Sequence, residues 1–268
     1  MQTDDLSIAG GRGEIPRTIH QCFFGGESAA PDSYRAYAET WRRHHPDWKY
    51  EFWDAARCRA LVADHYPAYL KMYDRYRHRI HRVDAVRYFL LHHHGGVYLD
   101  MDIECLRPID ELVAGRRLLF GAEIGGYSNA VMGSVAGHPL WPPVFEMLQE
   151  RQSRFAWRAP LWSKLTMPMH VGYSTGPILL GDCLRASGYA DDPATRICPT
   201  AAFEPLSPRE DVVVVPGEPV DLSQSYAIHH MSMHWLPRHH KLLFALFEIF
   251  AKVYWRRRAA KKTATNSS

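Results

Sequence analysis

The stretch from His78 to Asp102 limits the fold more than any other part of the chain. Its apolar residues recur at spacings of three and four and give one apolar helical face: Val83, Val86, Phe89 and Leu90. This periodicity predicts a helix over 78–94. Gly95-Gly96 then ends the helix, and the apolar run 97–99 predicts a short strand that delivers Asp100 at its tip.

The rest of the chain also alternates between strand and helix patterns. Further strands are predicted at Arg17–Phe24, Lys49–Trp53, 118–121, 129–134 and 211–215. Further helices are predicted at 32–45 with Asp32 or Ser33 as cap, at 55–63 capped by Asp54, from Pro67 to 75, at 139–152 and at 177–187. No repeat and no convincing linker is visible, so the pattern predicts one α/β domain with added helices.

The composition is that of a globular protein. Hydrophobic residues make up 46% and charged residues 23% of the 268 residues, and the net charge of +3 does not predict a nucleic-acid partner. Five cysteines without a CxxC pair are typical of reduced, buried thiols in a cytosolic protein. The polar N-terminus lacks the apolar core of a secretory signal, and no run of about 18 apolar residues predicts a membrane span.

Asp100 and Asp102 form an acidic pair at the end of the predicted strand. Alternate residues of an extended segment point to the same side, so the two carboxylates can share one ion if the backbone turns locally. Oxygen ligands suit Mg²⁺ or Mn²⁺, and these ions also bind phosphate oxygens. A DxD alone is more often a solvated turn, so its neighbours must decide between the two interpretations.

Asp84 and Arg87 lie three residues apart on the preceding helix and therefore share a face. Arg87 suits a phosphate group, and Asp84 suits the hydroxyl groups of a sugar. The alternative is an ordinary surface ion pair at this spacing.

Four blocks of sequence carry a resemblance to a known family. They are Ile15–Gln21, Pro46–Asp54, Val83–Tyr88 and Gly95–Asp102, with weaker matches at Thr175–Pro177 and at Tyr226–His230 followed by Trp235. The sequence resembles the DXD-containing sugar-binding region shared by yeast initiating α-1,6-mannosyltransferases, inositol-phosphoceramide mannosyltransferases and α-1,4-galactosyltransferases (family 32 glycosyltransferases). The glucosyltransferase domain of large clostridial toxins is similar too.

The resemblance implies a GT-A-type nucleotide-binding α/β sandwich with a mixed central sheet. It also implies a retaining, metal-dependent transfer of a hexose from a UDP- or GDP-linked sugar to a saccharide or lipid-linked saccharide acceptor, in cell-surface glycan or glycolipid synthesis. The metal would be Mn²⁺ or Mg²⁺.

The resemblance also implies roles for individual residues. Asp84, Arg87, Asp100 and Asp102 would be the catalytic set. Asp102 would contact the metal directly, Asp100 would contact ribose, sugar or the metal through water, and His229 would lie beside the metal or the diphosphate. The remaining nucleotide-sugar-binding residues would be Phe23, which stacks on the base, together with Tyr98, Asn129 and Trp235.

Two features of the late segment, Tyr226 to Trp235, concern the family pattern. One departs from it, and the other leaves open which of two residues has the expected role. His234 stands where family members often have Ser before the late Trp. His229 and His230 are adjacent, and neighbouring side chains of an extended segment point in opposite directions, so only one of them is expected to face the site. We favour His229.

Three further features have weaker support. Asn129 is either a donor- or acceptor-site residue or a turn residue entering a strand. Glu123 is a candidate for the acceptor side. The run His92-His93-His94 is expected on the surface at a helix end, where successive residues fan out rather than converge on one ion.

The C-terminus is rich in apolar and basic residues. We expect a flexible lead at 1–13, the catalytic domain at 14–236 and an amphipathic helix with a basic tail at 237–268. An apolar helix that ends in Arg256-Arg257-Arg258 is typical of a membrane interface, so residues 241–262 are expected to meet anionic lipid on the cytoplasmic side. The alternative is a helix packed on the core.

Two other classes of function remain open. Another metal-dependent sugar-nucleotide enzyme, a hydrolase or a nucleotidyltransferase, would share the acidic pair but leave Asp84, Arg87 and the late segment without a role. A non-catalytic membrane-surface or carbohydrate-binding protein would need no metal.

Overall fold

A mixed six-stranded sheet forms the centre of the protein. The computed structural model describes residues 13–123, 126–155, 167–206 and 220–232 of the chain. The sheet strands are β1 (Thr18–Cys22), β2 (Lys49–Trp53), β3 (Gly96–Leu99), β5 (Leu118–Glu123), β6 (Gly126–Ser134) and β7 (Thr195–Cys198). Their order is β2-β1-β3-β6-β5-β7, and β6 alone runs opposite to the others.

A second, two-stranded ribbon lies beside the sheet. It pairs β4 (Ile103–Cys105) with β8 (Ala227–His229) in antiparallel fashion. The ribbon joins a strand that follows the acidic pair directly to a segment more than 100 residues later in the chain.

Helices cover both faces of the sheet. They are α1 (Asp32–His44), α2 (Ala55–His65), α3 (Pro67–Arg75), α4 (Arg79–His94), α5 (Asp110–Val113), α6 (Trp141–Phe155), α7 (Met167–Ser174), α8 (Pro177–Ser187) and α9 (Thr200–Phe203). Side chains alternate across β3: Tyr98 lies in the apolar cluster that contains Phe89 of α4, whereas Val97 and Leu99 lie in the cluster that contains Trp41 of α1. The mixed α/β architecture expected from the sequence is confirmed.

Helix α4 is buried nearly all round rather than along one stripe. Its buried residues include the continuous run 84–91, so the single apolar face predicted from the sequence is wrong. The helix lies between the sheet and the neighbouring helices α2, α3 and α6, which cover its remaining sides. A helix in that position needs apolar or paired residues on every side.

The double glycine after α4 is required by its backbone geometry. Gly95 and Gly96 have φ angles of +66° and +93°. A Cβ on Gly96 would lie 2.6 Å from the carbonyl oxygen of Thr18 in β1, and one on Gly95 would lie 2.8 Å from the nitrogen of Ala136. Only glycine allows both this conformation and this approach, and the turn aims β3 at the acidic pair.

Most predicted elements are observed, with corrections at their ends. Asp54 caps α2 by accepting a hydrogen bond from the nitrogen of Arg57 at 2.8 Å, as predicted. The predicted cap of α1 is wrong, since Asp32 and Ser33 lie inside the helix and Pro31 precedes it without a side-chain cap. The strand predicted at 211–215 and the C-terminal helix at 237–268 lie outside the described residues.

The histidine run at the end of α4 is only partly as predicted. His92 and His93 are half-buried rather than on the surface: the Tyr66 hydroxyl lies 2.7 Å from Nδ1 of His92, and the rings of His93 and His65 lie 3.9 Å apart.

The five cysteines are buried and free, as expected. Within the described ranges, no helix has the length and apolar character needed to cross a bilayer.

Candidate active site

The acidic pair lies at the edge of the sheet where the parallel strands end. A turn follows β3, with the nitrogen of Ile103 donating to the carbonyl of Asp100 at 3.3 Å. This turn lets the two carboxylates of Asp100 and Asp102 approach each other despite the intervening Met101. The carboxyl edge of parallel strands is the usual place for a ligand in an open α/β sheet.

His229 completes a three-residue cluster with the acidic pair. One ligand atom from each of Asp100, Asp102 and His229 lies within 4.8 Å of the others, and Nε2 of His229 is 3.4 Å from Oδ1 of Asp102. In the described part of the chain, this is the only group of three or more histidine, cysteine or acidic residues that close together.

The β4–β8 ribbon determines which of the two adjacent histidines faces the acidic pair. His229 pairs with Ile103, next to Asp102, and the nitrogen of His230 donates to the carbonyl of Asp102 at 2.9 Å. The His230 ring points elsewhere: its Nε2 lies 3.0 Å from Oε2 of Glu104, and it stacks on Tyr37 at 4.3 Å. The geometry therefore favours His229.

Asp102 is held from two sides. Its Oδ2 accepts hydrogen bonds from the nitrogen and the hydroxyl of Ser232, at 2.9 and 2.8 Å, and the Tyr34 hydroxyl is bonded to the same serine. Burial raises the pKa of Asp102, but the hydrogen bonds from His229 and Ser232 outweigh burial and hold that pKa well below its usual range. Asp102 is therefore an anion at neutral pH.

Asp100 is held by residues on β3 and α4. Tyr98 donates to its Oδ1 at 2.9 Å, and Nη2 of Arg87 lies 3.2 Å from the same oxygen. The guanidinium of Arg87 also lies over the Tyr98 ring, 4.7 Å from its centre. Burial raises the pKa of Asp100, against the opposing charge of Arg87.

Asp84 and Arg87 form a buried ion pair, so the alternative of a surface pair is wrong. Nη2 of Arg87 is 2.7 Å from Oδ1 of Asp84, and the two side chains are only 2% and 6% exposed. Thr175 donates to Oδ2 of Asp84 at 3.1 Å, and the carbonyl of Asn129 accepts from Arg87 at 2.5 Å. Burial raises the pKa of Asp84 to about 6, opposed by the charge of Arg87.

The other predicted residues lie at varying depth. Asn129 is a buried residue within β6, so the turn residue of its second interpretation is wrong. Its side-chain amide donates to the Tyr88 hydroxyl at 3.5 Å and also hydrogen-bonds Asp84. Phe23 follows β1 and is half-buried, and its ring lies perpendicular to that of Tyr34 with the ring centres 6.2 Å apart. Glu123 ends β5, where burial and the charge of Glu204 raise its pKa to about 8. Trp235 lies outside the described residues.

Sequence reasoning missed three residues that hold this site together: Glu204, Ser232 and Tyr34. Oε1 of Glu204 lies 3.3 Å from Nδ1 of His229, on the side of the ring opposite Asp102. Burial lowers the pKa of His229, but the two carboxylates on either side of its ring outweigh this effect and raise that pKa to about 10. None of the three stands in a motif, and no sequence signal pointed to them.

The donor set fits a divalent cation. Two carboxylates and one imidazole converge, and the carboxylate of Asp102 is ionised, as a ligand must be. The distance of 3.4 Å between Oδ1 of Asp102 and Nε2 of His229 suits neighbouring ligands of one ion with bonds of about 2.1 Å. Asp102, His229 and Asp100 are thus the residues that would hold the metal.

Comparison with known proteins agrees with this arrangement. Residues 31–119, which include both Asp84 and Asp102, match the family described as glycosyltransferase sugar-binding region containing DXD motif. Inositol phosphoceramide mannosyltransferase 3 of Schizosaccharomyces pombe is 37% identical over 166 residues, 62% of this chain and 44% of that protein. Inositol phosphoceramide mannosyltransferase 2 from the same yeast is 32% identical over 178 residues, which are 66% of this chain and 48% of that protein.

The chain thus spans less than half the length of these two relatives. Among solved structures, the ligand-free glycosyltransferase domain of the YGT toxin superposes with a TM-score of 0.51 at 8% identity, covering 69% of this chain and 80% of that one. This likeness concerns the fold, and it confirms the GT-A-type architecture that the resemblance implied. The sequence match confirms the resemblance itself: residues 31–119 match the DXD-containing sugar-binding region of glycosyltransferases.

Proposed function

We propose that this protein is a metal-dependent glycosyltransferase that moves a hexose from a nucleoside-diphosphate sugar to a saccharide or lipid-linked saccharide. The observation that carries the proposal is the convergence of Asp100, Asp102 and His229 at the carboxyl edge of the sheet, beside the buried guanidinium of Arg87. A cation site next to a fixed arginine suits a diphosphate, whose charge must be neutralised both when it binds and when it departs.

The ion proposed is Mn²⁺ in preference to Mg²⁺. Mg²⁺ takes oxygen ligands almost exclusively, whereas the third donor here is an imidazole nitrogen. When bound, the metal would act as a Lewis acid that stabilises the negative charge on the leaving nucleoside diphosphate.

The residues of the chain hold and orient the donor. Arg87 is fixed by Asp84, Asp100 and the carbonyl of Asn129, so its position is set before any ligand arrives. Preorganised charge of this kind stabilises a transition state without the cost of reorganisation. Phe23, at the end of β1, is assigned to the nucleobase and Asp84 to the sugar hydroxyls.

We propose transfer with retention at the anomeric carbon. Asp84 is paired with Arg87 and accepts from Thr175, which suits a positioning role rather than nucleophilic attack on the sugar. A front-face route, in which the leaving diphosphate accepts the proton of the acceptor hydroxyl, needs no enzymatic nucleophile. The anomeric configuration of the new glycosidic bond, read by proton NMR and compared with that of the donor sugar, tests this part of the proposal.

The relatives suggest which donor to test first. Both yeast proteins are named inositol phosphoceramide mannosyltransferases, so GDP-mannose and a lipid-linked acceptor come first, with UDP-hexoses as the comparison. A lipid-linked acceptor agrees with the proposal that residues 241–262 bind the cytoplasmic face of an anionic membrane. Binding of the full chain to anionic and to neutral vesicles tests that contact.

A thermal-shift screen tests the central proposal. Nucleoside diphosphates and their sugars, with and without Mn²⁺, should raise the melting temperature in a metal-dependent way, because a ligand that binds the folded state stabilises it by mass action. Asp102→Asn should abolish that dependence and the transfer. No metal-dependent shift with any nucleotide contradicts the proposal, and release of free sugar instead of transfer favours a hydrolase.

A further inference from the structure

Glu204 has no assigned role in the proposed reaction, yet it contacts the cluster directly. Its carboxylate oxygen Oε1 lies 3.3 Å from Nδ1 of His229, while Nε2 of the same ring faces Oδ1 of Asp102 at 3.4 Å. The imidazole is thus held between two carboxylates, one on each ring nitrogen. The Glu204 side chain is only 4% exposed, so water contributes little to its hydrogen bonding.

The position of Glu204 is built into the fold around β8. Glu204 directly follows the short helix α9 as its C-cap, where its nitrogen donates to the carbonyl of Thr200 at 2.7 Å. The segment that enters β8 is attached to the same helix: the nitrogen of Tyr226 donates to the carbonyl of Ala202, and the Ser225 hydroxyl donates to that of Ala201, each at 2.8 Å. Two hydrogen bonds therefore attach the segment that carries Glu204 to the segment that carries His229.

We propose that Glu204 is a positioning residue for the metal ligand His229, an inference that rests on the metal site of the proposed function. Glu204 accepts a hydrogen bond from Nδ1–H, which keeps the proton on Nδ1 and sets the plane of the ring toward Asp102. Nε2 is then the nitrogen that exchanges its proton for the metal. A carboxylate in this position also makes the imidazole a stronger donor. The burial of Glu204 agrees with this role, since a buried carboxylate needs a partner such as the imidazole N–H.

The adjacent histidine provides a matched control. Glu104 and His230 form a second carboxylate–histidine pair on the same β4–β8 ribbon, at 3.0 Å, and this pair lies outside the three-residue cluster. Glu104→Gln therefore makes the same chemical change in the same ribbon without touching the ring of His229.

Direct Mn²⁺ binding is the experiment. Electron paramagnetic resonance counts free Mn²⁺ during titration of the full chain, first with Mn²⁺ alone and then with Mn²⁺ and GDP or UDP. Glu204→Ala should weaken Mn²⁺ binding about 10–100-fold, as loss of such a partner does in other metal sites. Glu204→Gln keeps an acceptor oxygen but loses the charge, so its loss should be smaller. Glu104→Gln should bind Mn²⁺ like the wild type.

The titration separates positioning from simple damage to the fold. Partial unfolding lowers the number of sites per chain but leaves the midpoint of the folded fraction unchanged, whereas loss of positioning moves the midpoint and leaves the number of sites near one. The Mn²⁺ concentration for half-maximal transfer should rise in parallel, with kcat recovering at saturating Mn²⁺. If Glu204→Ala does not fold, the Mn²⁺-binding midpoint of Glu204→Gln is the test.

Two results overturn the inference, and they differ. Wild-type midpoints in both Glu204 variants would remove Glu204 from this role while leaving the metal site intact. No Mn²⁺ binding by the wild type, with or without GDP or UDP, would contradict the metal site itself and therefore the proposed function as well.

Discussion

Ser232 donates two hydrogen bonds to a single oxygen of Asp102, one from its backbone nitrogen at 2.9 Å and one from its hydroxyl at 2.8 Å. The two residues are 130 positions apart in the sequence. The residue between His230 and Ser232, Met231, has a φ of +45°, a conformation that non-glycine residues adopt rarely. The backbone after β8 thus takes an uncommon turn that brings Ser232 onto the carboxylate.

Ser232→Ala should destabilise the protein by about 1.5 kcal/mol. A hydrogen bond to a charged group contributes roughly 1.5–3 kcal/mol, and the backbone bond to Asp102 remains in the variant. Urea unfolding of the wild type and the variant measures the difference. Ser223→Ala is the matched control, because the nitrogen and the hydroxyl of Ser223 both hydrogen-bond Asp221. That carboxylate is exposed to water, so the variant should leave the midpoint nearly unchanged. Equal midpoints for both variants would contradict the expectation.

Arg87→Met should destabilise the protein far more than loss of a surface arginine. Its removal leaves the buried carboxylate of Asp84 and that of Asp100 without their cation, at a cost of about 3–5 kcal/mol. Arg59→Met is the matched control, because Arg59 pairs with Asp74 at a similar 2.7 Å but is 54% exposed. The two variants are compared by denaturant unfolding, and similar losses would show that burial of the Arg87 pair does not matter.

Gly96→Ala should disrupt the turn between α4 and β3. The new Cβ would lie 2.6 Å from the carbonyl oxygen of Thr18, and the φ of +93° disfavours any side chain. Backbone strain and displacement of β1 together predict a loss of about 2–5 kcal/mol. Gly115→Ala has a φ of +66° but no atom within 4 Å of its Cβ, so it should lose only about 1–2 kcal/mol.

Thermal unfolding of both glycine variants measures this difference. If Gly115→Ala costs as much as Gly96→Ala, the close approach to β1 is not the cause. Metal-dependent nucleotide binding by Gly96→Ala should also weaken, because β3 carries the acidic pair.

The stability of the protein should fall on acidification from about pH 6.5 to pH 4. His20 is buried, donates from Nε2 to the carbonyl of Gly95 at 2.9 Å and accepts at Nδ1 from the Trp53 indole at 3.1 Å. Burial lowers the pKa of His20 to about 4, and protonation would set a second N–H against the indole N–H. The unfolded chain therefore binds more protons in this range, so the free energy of unfolding decreases as the pH falls.

Urea unfolding at several pH values measures this dependence. Burial also lowers the pKa values of His81 to about 3 and of His138 to about 4, and these groups act in the same direction. The raised pKa values of Asp84 and Glu123 act in the opposite direction, but they are outnumbered by the buried histidines. His20→Gln should reduce the slope between pH 6.5 and pH 4 without removing it. An unchanged slope in that variant would show that His20 does not contribute.

Local sequence rules predicted the elements that carry the acidic pair. The helical period of α4, the two glycines after it and the apolar run of β3 are interactions among neighbours, so they can be read without the fold. Asp54 as the cap of α2 is of the same kind. The burial of Asp84 and Arg87 could not be predicted from neighbouring residues, because it depends on which helices cover α4.

The choice between His229 and His230 shows most clearly what local sequence rules cannot predict. Alternation in an extended segment dictated that His229 and His230 point in opposite directions, but either one could have faced the site. The pairing of β8 with β4 decided the question, since it sets His229 opposite Ile103 and beside Asp102.

The sequence by itself determined the helix–glycine–strand unit and the acidic pair at its end, because each depends on residues within a few positions. Only the tertiary structure brought Glu204 to His229 and Ser232 to Asp102, since those contacts join segments separated by 25 and 130 residues. Hydrogen bonds between distant segments leave no periodic pattern in the sequence. They form only when the chain packs, and here that packing places an imidazole beside the two carboxylates of the proposed cation site.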